Sequence, residues 1–315
     1  LHNPLTGWVL YASMGVDAAD FWAQYDHMYI PELGHNVSVT DYAHTLSQES
    51  RGLGDVYKRQ VYGWKIDSNL RAYIEGAYQR NMRLAFRVVV DSRDKRTEFT
   101  PQFVKDAGAK GFMNKGEWSP YSDDSVFQKY YTKFVKALAK DFNDPSKVEF
   151  IDGFGLGKWG EYHTMIYSTG DDTPKKAVFD WVTDIYSQVF DKVPVVINYH
   201  RWIGAGKDWV DDEHFAADSE EMLEEAIKKG YSLRHDAFGM TTYYGSWERR
   251  FAKKYRNICP IIMEGGWIVK SHSYWQDPRG YRKDSHEDVR RGEFDDSKEA
   301  HVNMMDFRFG DIESW

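Results

Sequence analysis

Cysteine, long apolar runs and excess basic charge are all scarce in this sequence. The single cysteine, Cys259, excludes an internal disulfide and a cysteine-based zinc cage. No window of about 18 apolar residues occurs, so the sequence predicts no transmembrane helix. Lys and Arg number 41 against 49 Asp and Glu, which gives a formal net charge of -8. Because nucleic-acid binding depends on a basic surface, no nucleic-acid partner is expected.

A signal peptide is also missing from the start of the chain. Leu1-His2-Asn3-Pro4 provides neither a charged n-region nor an apolar h-region. We therefore expect a secreted or periplasmic bacterial protein whose targeting segment is absent from this chain, with a cytoplasmic location as the alternative. Nothing in the sequence predicts an oligomeric state.

Aromatic residues, in contrast, are abundant. The chain contains 12 Trp, 21 Tyr and 18 Phe, and hydrophobic residues make up 42% of it. This composition is enough for a large buried core. Aromatic side chains also line sugar-binding clefts, because the C–H faces of pyranose rings stack on them.

Short β-branched runs alternate with amphipathic helical stretches through most of the chain. Such alternation predicts parallel strands joined by crossover helices. At 315 residues a single (β/α)₈ TIM barrel over residues 1–315 is favoured over an open doubly wound sheet. No G-x-G-x-x-G or Walker loop follows a strand, so no nucleotide cofactor is expected. The predicted strands are 7–13, 84–90, 148–155, 193–199, 237–243, 258–264 and 304–309, with a weaker one at 35–43.

Two regions fit the barrel poorly. The chain stops soon after the last predicted strand, so we expect the eighth helix to be missing. Residues 46–60 (LSQESRGLGDVYKRQ) show no periodicity where the second strand and its loop are needed. Their final DVYKRQ matches one reading frame of a transposon end used in sequencing libraries. This match favours a cloning or assembly artefact in a metagenomic sequence, with a polar surface loop as the alternative; resequencing from source DNA would separate the two.

Two glutamates lie at the ends of the fourth and seventh predicted strands, the face at which (β/α)₈ enzymes hold their active sites. Glu161 lies in the glycine-rich stretch GLGKWGEYH, and Glu264 ends the apolar run CPIIME. These two strand ends face each other across a barrel mouth. Glycoside hydrolysis requires a pair of carboxyls, one to protonate the leaving oxygen and one to attack or to activate water. The sequence therefore predicts a glycoside hydrolase acting on an oligo- or polysaccharide, with salt-bridged rim residues as the alternative for either glutamate.

The same stretches resemble a known group of proteins. NPLTGW (3–8), LAFRVVVD (84–91) and GLGKWGEYH (155–163) are similar to a bacterial family of unknown function, whose members resemble clan A retaining glycosidases. The resemblance covers nearly the whole chain except 46–60, and it implies that Glu161 is the general acid/base and Glu264 the nucleophile. Two features depart from the pattern. Gly160 replaces the usual Asn before the acid/base, and only VYGW (61–64) remains of an E-P-x-x-G loop near the second strand.

Further residues at or near the predicted strand ends are candidates for binding a sugar or for orienting the two glutamates. Arg87 lies inside the third strand, where a buried ion pair is the alternative interpretation. Trp159 and Trp267 are stacking candidates, with core packing as their alternative. The complete set of substrate-binding candidates is Arg87, Trp159, His163, Asn198, His200, Arg201, Tyr243, Tyr244 and Trp267.

Two other functions stay open at this point. A non-catalytic carbohydrate-binding barrel would use the same aromatics without needing its glutamates close together. A metal-dependent hydrolase is disfavoured, since no H-x-H or H-E-x-x-H spacing occurs among the 11 histidines, although His163, His200 and His235 lie near three strand ends. No metal or other cofactor is therefore expected. Asp152 and Asp236 are rival acids that we expect to be structural.

Overall fold

The structure, a computed structural model, describes residues 7–12, 17–27, 45–50, 68–91, 99–114, 116–207, 213–238, 243–265, 280 and 286–306. Its strands are β1 (Gly7–Ala12), β2 (Thr45–Ser50), β3 (Arg83–Val88), β4 (Gly111–Asn114), β5 (Glu117–Pro120), β6 (Val148–Asp152), β7 (Val195–Asn198), β8 (Ser232–Phe238), β9 (Ile261–Gly265) and β10 (Met304–Asp306). Its helices are α1 (Ala18–His27), α2 (Ser68–Gln79), α3 (Gln102–Asp106), α4 (Ser125–Phe142), α5 (Lys175–Val189), α6 (Glu213–Lys228), α7 (Ser246–Tyr255) and α8 (His286–Ala300).

Eight of these strands close into a parallel barrel in the order β1-β10-β9-β8-β7-β6-β3-β2. Every neighbouring pair around the ring is parallel, including β1 with β10 and β1 with β2. The strands β4 and β5 form a separate antiparallel hairpin between β3 and α4. The predicted (β/α)₈ fold is confirmed. None of the helices in the described ranges is long and apolar enough to cross a membrane.

Helices lie between the barrel strands, as the alternation of strands and helical stretches predicted. In α4 the buried residues include Phe127, Tyr131 and Leu138, which recur on one face and pack into the main core. Asp124 caps this helix, because its side chain accepts hydrogen bonds from the amides of Val126 and Phe127 at 3.0 and 2.9 Å. The crossover helices thus cover the outside of the barrel and fix the strands that carry the site.

Two barrel strands differ from their predicted positions. The second strand, β2, begins at Thr45 and pairs with both β1 and β3, so it includes the start of the segment predicted to be irregular. Backbone hydrogen bonds to these two neighbouring strands stabilise β2, although its polar side chains do not predict a strand. The predicted strand 35–43 lies outside the described residues. The sixth barrel strand, β8 (Ser232–Phe238), begins at Ser232 and not at the predicted residue 237.

Three expectations concern residues that the structure does not describe. The eighth helix, whose absence was an expectation, would follow residue 306, and Trp267 and residues 51–60 also lie outside the described ranges. These expectations stay predictions.

Side chains alternate between the two faces of each barrel strand, and this alternation determines which residues lie at the site. A small apolar layer fills the interior, separate from the main core between strands and helices, and consists of Ala85, Phe150, Val196, Ile262 and Met304. Residues two positions further along a strand point to the same face. That step leads to the polar residues Arg87, Asp152, Asn198 and Glu264, all buried near the C-terminal ends of their strands. The upper interior layer is therefore charged and polar, at the face where barrel enzymes work.

Candidate active site

Glu161 lies on a constrained loop that follows β6. Three glycines in this loop and three residues of other types have positive φ: Gly155, Gly157 and Gly160 at 75°, Trp159 at 57°, Tyr162 at 62° and Thr164 at 49°. A left-handed conformation costs a non-glycine residue about 1–2 kcal/mol. Strained backbone of this kind clusters at functional sites, where the surrounding structure imposes it.

Tyr162 anchors the loop to the rest of the barrel. Its side chain is buried, and its hydroxyl donates a hydrogen bond to the carbonyl oxygen of Lys175 at 3.2 Å. Its amide donates to the carbonyl of Leu156 at 2.9 Å, and its own carbonyl accepts from the amide of Gly204 at 2.8 Å. These bonds on both sides of the chain hold the neighbouring Glu161 in one orientation.

The close packing of this loop on β3 gives a stability prediction. A β-carbon on Gly155, whose φ is 75°, would lie 2.5 Å from the carbonyl oxygen of Val88 and from the hydroxyl of Tyr131. We expect Gly155→Ala to lower the free energy of unfolding by more than about 2 kcal/mol, because left-handed strain and backbone overlap add. Urea unfolding followed by circular dichroism measures the loss.

Gly170→Ala is the matched control for that substitution. Gly170 has φ 78°, and nothing lies within 4 Å of its added β-carbon. It therefore reports the conformational cost alone. Equal losses in the two variants would contradict close packing between the Glu161 loop and β3.

Arg87, on β3, connects three acids in the barrel mouth. Its Nε donates to Asp152 Oδ2 at 2.7 Å, its Nη1 to Glu161 Oε1 at 2.6 Å, and its Nη2 to Glu264 Oε2 at 3.4 Å. The side chain is only 3% exposed, so these charge-assisted bonds lie away from water and are stronger than surface pairs. One guanidinium thus joins the two glutamates predicted as the catalytic pair.

Arg234, on β8, reinforces the same cluster from the opposite side. Its Nη2 donates to Glu264 Oε2, and its Nη1 lies 3.5 Å from Asp152 Oδ2. Glu264, 1% exposed, is therefore held between two guanidiniums. Two adjacent cations stabilise the ionised form of this carboxylate in a site that would otherwise disfavour charge.

Glu161 has the opposite electrostatic environment. Burial and the negative charge of Asp236 raise the pKa of Glu161 to about 8, although Arg87 and His163 oppose the shift. His163 contributes through its Nε2, which lies 3.3 Å from Glu161 Oε2. At neutral pH Glu161 is therefore largely protonated, whereas Glu264 faces two cations. The two carboxyls differ in the way that an acid and a nucleophile require.

Asp236 lies beside Glu161 on the wall of the same cavity, and the two carboxyl groups are within hydrogen-bonding reach of each other. Burial raises the pKa of Asp236, but the charge of His235, the contact with Glu161 and the charges of Arg87 and His163 together outweigh burial and lower that pKa. Asp236 was expected to precede the sixth strand and to be structural. The shifted position of β8 instead brings it to the barrel mouth.

The histidines of the mouth have defined roles. His200 Nε2 lies 2.8 Å from the carbonyl oxygen of Glu161, and its Nδ1 lies 3.1 Å from the amide of Trp202. Because a carbonyl only accepts and an amide only donates, His200 carries its proton on Nε2 and is neutral. Burial lowers the pKa of His235, which is therefore also neutral at pH 7. His200 thus tethers the backbone at Glu161.

A cavity opens above these groups. Asn198, at the end of β7, has a buried amide whose nitrogen and oxygen both lack a hydrogen-bond partner among the described residues. Buried amides are normally bonded, so this one is available to a polar ligand. The residues that line the cavity are Trp159, Glu161, His163, Asn198, His200, Trp202, His235, Asp236 and Tyr243.

The structure divides the predicted site residues into groups. Trp159, His163, Asn198, His200 and Tyr243 surround the cavity together with Glu161. Arg87 and Glu264 lie deeper, in the charged layer joined to Glu161.

Two predicted sugar ligands are engaged elsewhere. The Nη1 of Arg201 donates to both carboxylate oxygens of Glu248, at 2.9 and 2.7 Å. The buried Tyr244 shares a hydrogen bond of 3.0 Å with the hydroxyl of Tyr199. These contacts hold the walls of the site in position.

Four residues of the site were not predicted as functional: Asp152, Trp202, Arg234 and Asp236. A period-two pattern in SLRHDAF, with Ser232, Arg234 and Asp236 on one face, was the signal for β8. It was weak, because polar residues on an interior face look like loop sequence. In the described part of the chain, no group of three or more His, Cys, Asp or Glu side chains is placed to hold a metal ion.

The chain is similar in structure to several glycoside hydrolases. It matches an endo-1,4-beta-mannanase from Rhizomucor miehei with a TM-score of 0.57 and 11% identity, over 97% of this chain and 86% of that one. The catalytic domain of a beta-amylase from Paenibacillus polymyxa gives 0.55 and 8%, over 95% and 91%. An intracellular xylanase from Thermoanaerobacterium saccharolyticum gives 0.54 and 8%, over 96% and 85%. At these identities the similarity shows the fold alone.

Sequence comparisons do not assign the chain to a family. No family model matches the chain. No curated protein matches it either.

Proposed function

We propose that this protein hydrolyses a glycosidic bond in an oligo- or polysaccharide, with Glu161 as general acid/base and Glu264 as nucleophile. The observation that carries the proposal is the single guanidinium of Arg87, which bonds to both carboxyls at 2.6 and 3.4 Å. Two carboxyls that bond to one guanidinium lie several ångströms apart. Catalytic carboxyl pairs of glycosidases have separations of the same order, roughly 5–9.5 Å. A barrel that only binds carbohydrate would not need its acids joined.

The different environments of the two acids support their roles. Glu161, with its pKa raised to about 8, is positioned to protonate the leaving oxygen at neutral pH. Glu264, between two guanidiniums, is kept ionised for attack on the anomeric carbon. Glu161 then removes a proton from the incoming water, and the product keeps the configuration of the substrate.

The cavity supplies groups suited to a sugar. Trp159 is 37% exposed at the mouth, and Trp202 lies on the cavity wall, so both are candidates for stacking. Asn198 offers a donor and an acceptor to a hydroxyl. Gly160 adopts φ 75°, and a β-carbon there would lie 3.0 Å from the carbonyl of Val88, so the asparagine usual before the acid/base would be crowded at this position. Asn198 is the side-chain amide available instead.

A substrate screen tests the proposal. The panel comprises 4-nitrophenyl glycosides of xylose, mannose and glucose together with xylan, mannan and starch, chosen from the names of the structurally similar enzymes. The expected result is release of nitrophenol or reducing sugar by the wild-type protein and none by Glu264→Ala. NMR of the first product anomer tests retention. Equal activity in both proteins would overturn the assignment.

The acid role of Glu161 predicts a dependence on the leaving group. For Glu161→Gln we expect kcat/KM on a phenyl glycoside to fall by roughly 10²–10⁴-fold, the usual contribution of a general acid. A 2,4-dinitrophenyl glycoside needs no protonation and should lose far less. Glu220→Gln, on the outer helix α6, removes a surface carboxylate and should leave both rates unchanged. A uniform loss on both substrates would contradict the acid role.

A further inference from the structure

We propose that Asp236 is a positioning residue that keeps the catalytic proton on Glu161, because its carboxylate accepts the hydrogen bond that protonated Glu161 donates. The inference rests on the proposed function for the role of Glu161 and extends that role to a residue on a different strand. It predicts a pair of carboxyls that share one proton, separate from the Glu161–Glu264 pair.

The position of Asp236 results from an irregularity in β8. The pairing of β8 with β9 shifts register between His235 and Phe238, so Asp236 lies where the strand bulges. Bulges near active sites redirect a side chain. Here Asp236 lines the same cavity as Glu161, with its carboxylate within hydrogen-bonding reach of the Glu161 carboxyl. Two carboxyl oxygens in such contact need a proton between them, since two ionised groups would repel.

The charge balance of the barrel mouth favours one protonated acid. Within the described ranges the connected cluster contains two guanidiniums, Arg87 and Arg234, and four carboxyls. Asp152 and Glu264 balance the two cations. Glu161 and Asp236 are two carboxyls more than these guanidiniums balance, and a shared proton removes the repulsion between them.

Exposure decides which of the two carboxyls holds the proton. The Glu161 side chain is 3% exposed, whereas that of Asp236 is 24% exposed. The better-hydrated Asp236 keeps the negative charge at lower cost. Its Oδ1 also lies 3.8 Å from Nδ1 of His235.

The pKa shifts agree in direction. The pKa of Glu161 is raised and that of Asp236 is lowered. Among the described residues, Arg87 from β3 and His163 from its own loop also act on Glu161, and both oppose the rise. Arg87, His163 and His235 also act on Asp236 and help to lower its pKa. Among these neighbours, Asp236 is the group whose charge favours the protonated form of Glu161.

The pair would act in both halves of the reaction. In the first, the glycosidic C–O bond breaks, the proton moves from Glu161 to the leaving oxygen, and Glu264 forms a bond to the anomeric carbon. Glu161 and Asp236 are then both ionised and repel each other, which makes Glu161 a stronger base. In the second, Glu161 takes a proton from water, the water oxygen displaces Glu264, and the shared hydrogen bond is restored.

Asp236→Asn tests the proposal through kinetics. The amide keeps the shape and can still accept a hydrogen bond from Glu161, but it removes the charge. On a phenyl glycoside, we expect the basic limb of the pH profile of kcat/KM to move to lower pH by about one unit. At pH values above that limb, kcat/KM should then be about tenfold lower than in the wild type. kcat/KM on a 2,4-dinitrophenyl glycoside should change little. Asp236→Glu restores the charge and should move the limb back toward wild type.

A purely structural role predicts something else. It would lower both substrates alike and leave the basic limb in place, and that result would overturn the proposal. So would rescue of Asp236→Ala by azide to give a glycosyl azide of inverted configuration, because Asp236 would then act on the anomeric carbon directly.

A titration without substrate separates this inference from the proposed function. Protein labelled with ¹³C at the glutamate δ-carbons reports each ionisation, and Glu161→Gln identifies the Glu161 resonance by its loss. We expect Glu161 to titrate well above the ordinary range in the wild type and lower in Asp236→Asn. This result would support the proton-sharing pair even if no glycoside is cleaved, whereas an unchanged titration in Asp236→Asn would refute it even in an active enzyme.

Discussion

Glu264→Ala is expected to reduce turnover of every cleaved glycoside by about 1000-fold or more, the scale of loss when a nucleophile is removed. In the structure Glu264 ends β9 and is held by Arg87 and Arg234. These bonds orient the carboxylate and keep it charged. Because a retaining reaction passes through a covalent bond to the nucleophile, no other group can replace it efficiently.

Azide gives the sharper form of this test. In Glu264→Ala, azide can enter the space of the lost carboxylate, attack the anomeric carbon once and give a glycosyl azide of inverted configuration. In Glu161→Ala the nucleophile is intact, so azide should intercept the covalent intermediate and give the retained product. Products of opposite configuration would identify both acids in one experiment.

The alanine variant also leaves two buried guanidiniums short of a partner. Removing one member of a buried pair costs about 3–5 kcal/mol, so Glu264→Ala requires a measurement of its folded fraction by near-UV circular dichroism. Arg83→Met is a control for this loss. Arg83, at the start of β3, pairs with the buried Glu149 outside the cavity. Arg83→Met should lower stability but give the same products with azide as the wild-type protein. If folded Arg83→Met lost as much turnover as Glu264→Ala, a specific role for Glu264 would be contradicted.

The sequence was sufficient to predict the parts of the site that end apolar strands. Glu264 follows the run Ile261–Met263, and Asn198 follows Val195–Ile197, so hydrophobic periodicity placed both at the correct face. Glu161 was predicted because glycines and aromatics surround it. Its convergence with Glu264 depends on barrel closure, which the strand–helix alternation predicted.

The rest of the site depends on contacts between distant strands. Arg234 and Asp236 lie on an interior strand face, where polar residues make the local sequence resemble a loop. Their burial depends on partners from β3, β6, β9 and the loop after β6, which are distant in sequence. Arg201 shows the converse. It is a strand-end cation, but Glu248 from α7 binds it. No local pattern in the sequence shows which ionic partner a side chain will meet.

Replacement of Arg87 should have a large effect on stability, because it removes the shared partner of Asp152, Glu161 and Glu264. For Arg87→Met, which keeps the length of the side chain, we expect a loss of about 3–5 kcal/mol at neutral pH. Activity should fall as well, since the two acids proposed as catalytic lose their common orientation. Urea unfolding across the pH range measures the first effect.

The pH dependence of that loss follows from the charges that remain. Arg87 lowers the pKa of Glu161, so its removal raises that folded-state pKa further. An acid whose folded pKa is raised contributes its full stability below the unfolded pKa, about 4.3, and loses it as pH rises toward the folded value. Between about pH 5 and pH 7 Glu161 is protonated in both folded proteins, so the gap between Arg87→Met and wild type should stay level. Above about pH 8 Glu161 ionises in wild type but stays protonated in the variant, so the gap should widen. Adding Glu161→Gln to Arg87→Met removes the acid and should abolish this widening. A gap that stays the same from about pH 7 to about pH 9 would mean that Arg87 stabilises the barrel without favouring the ionised form of Glu161.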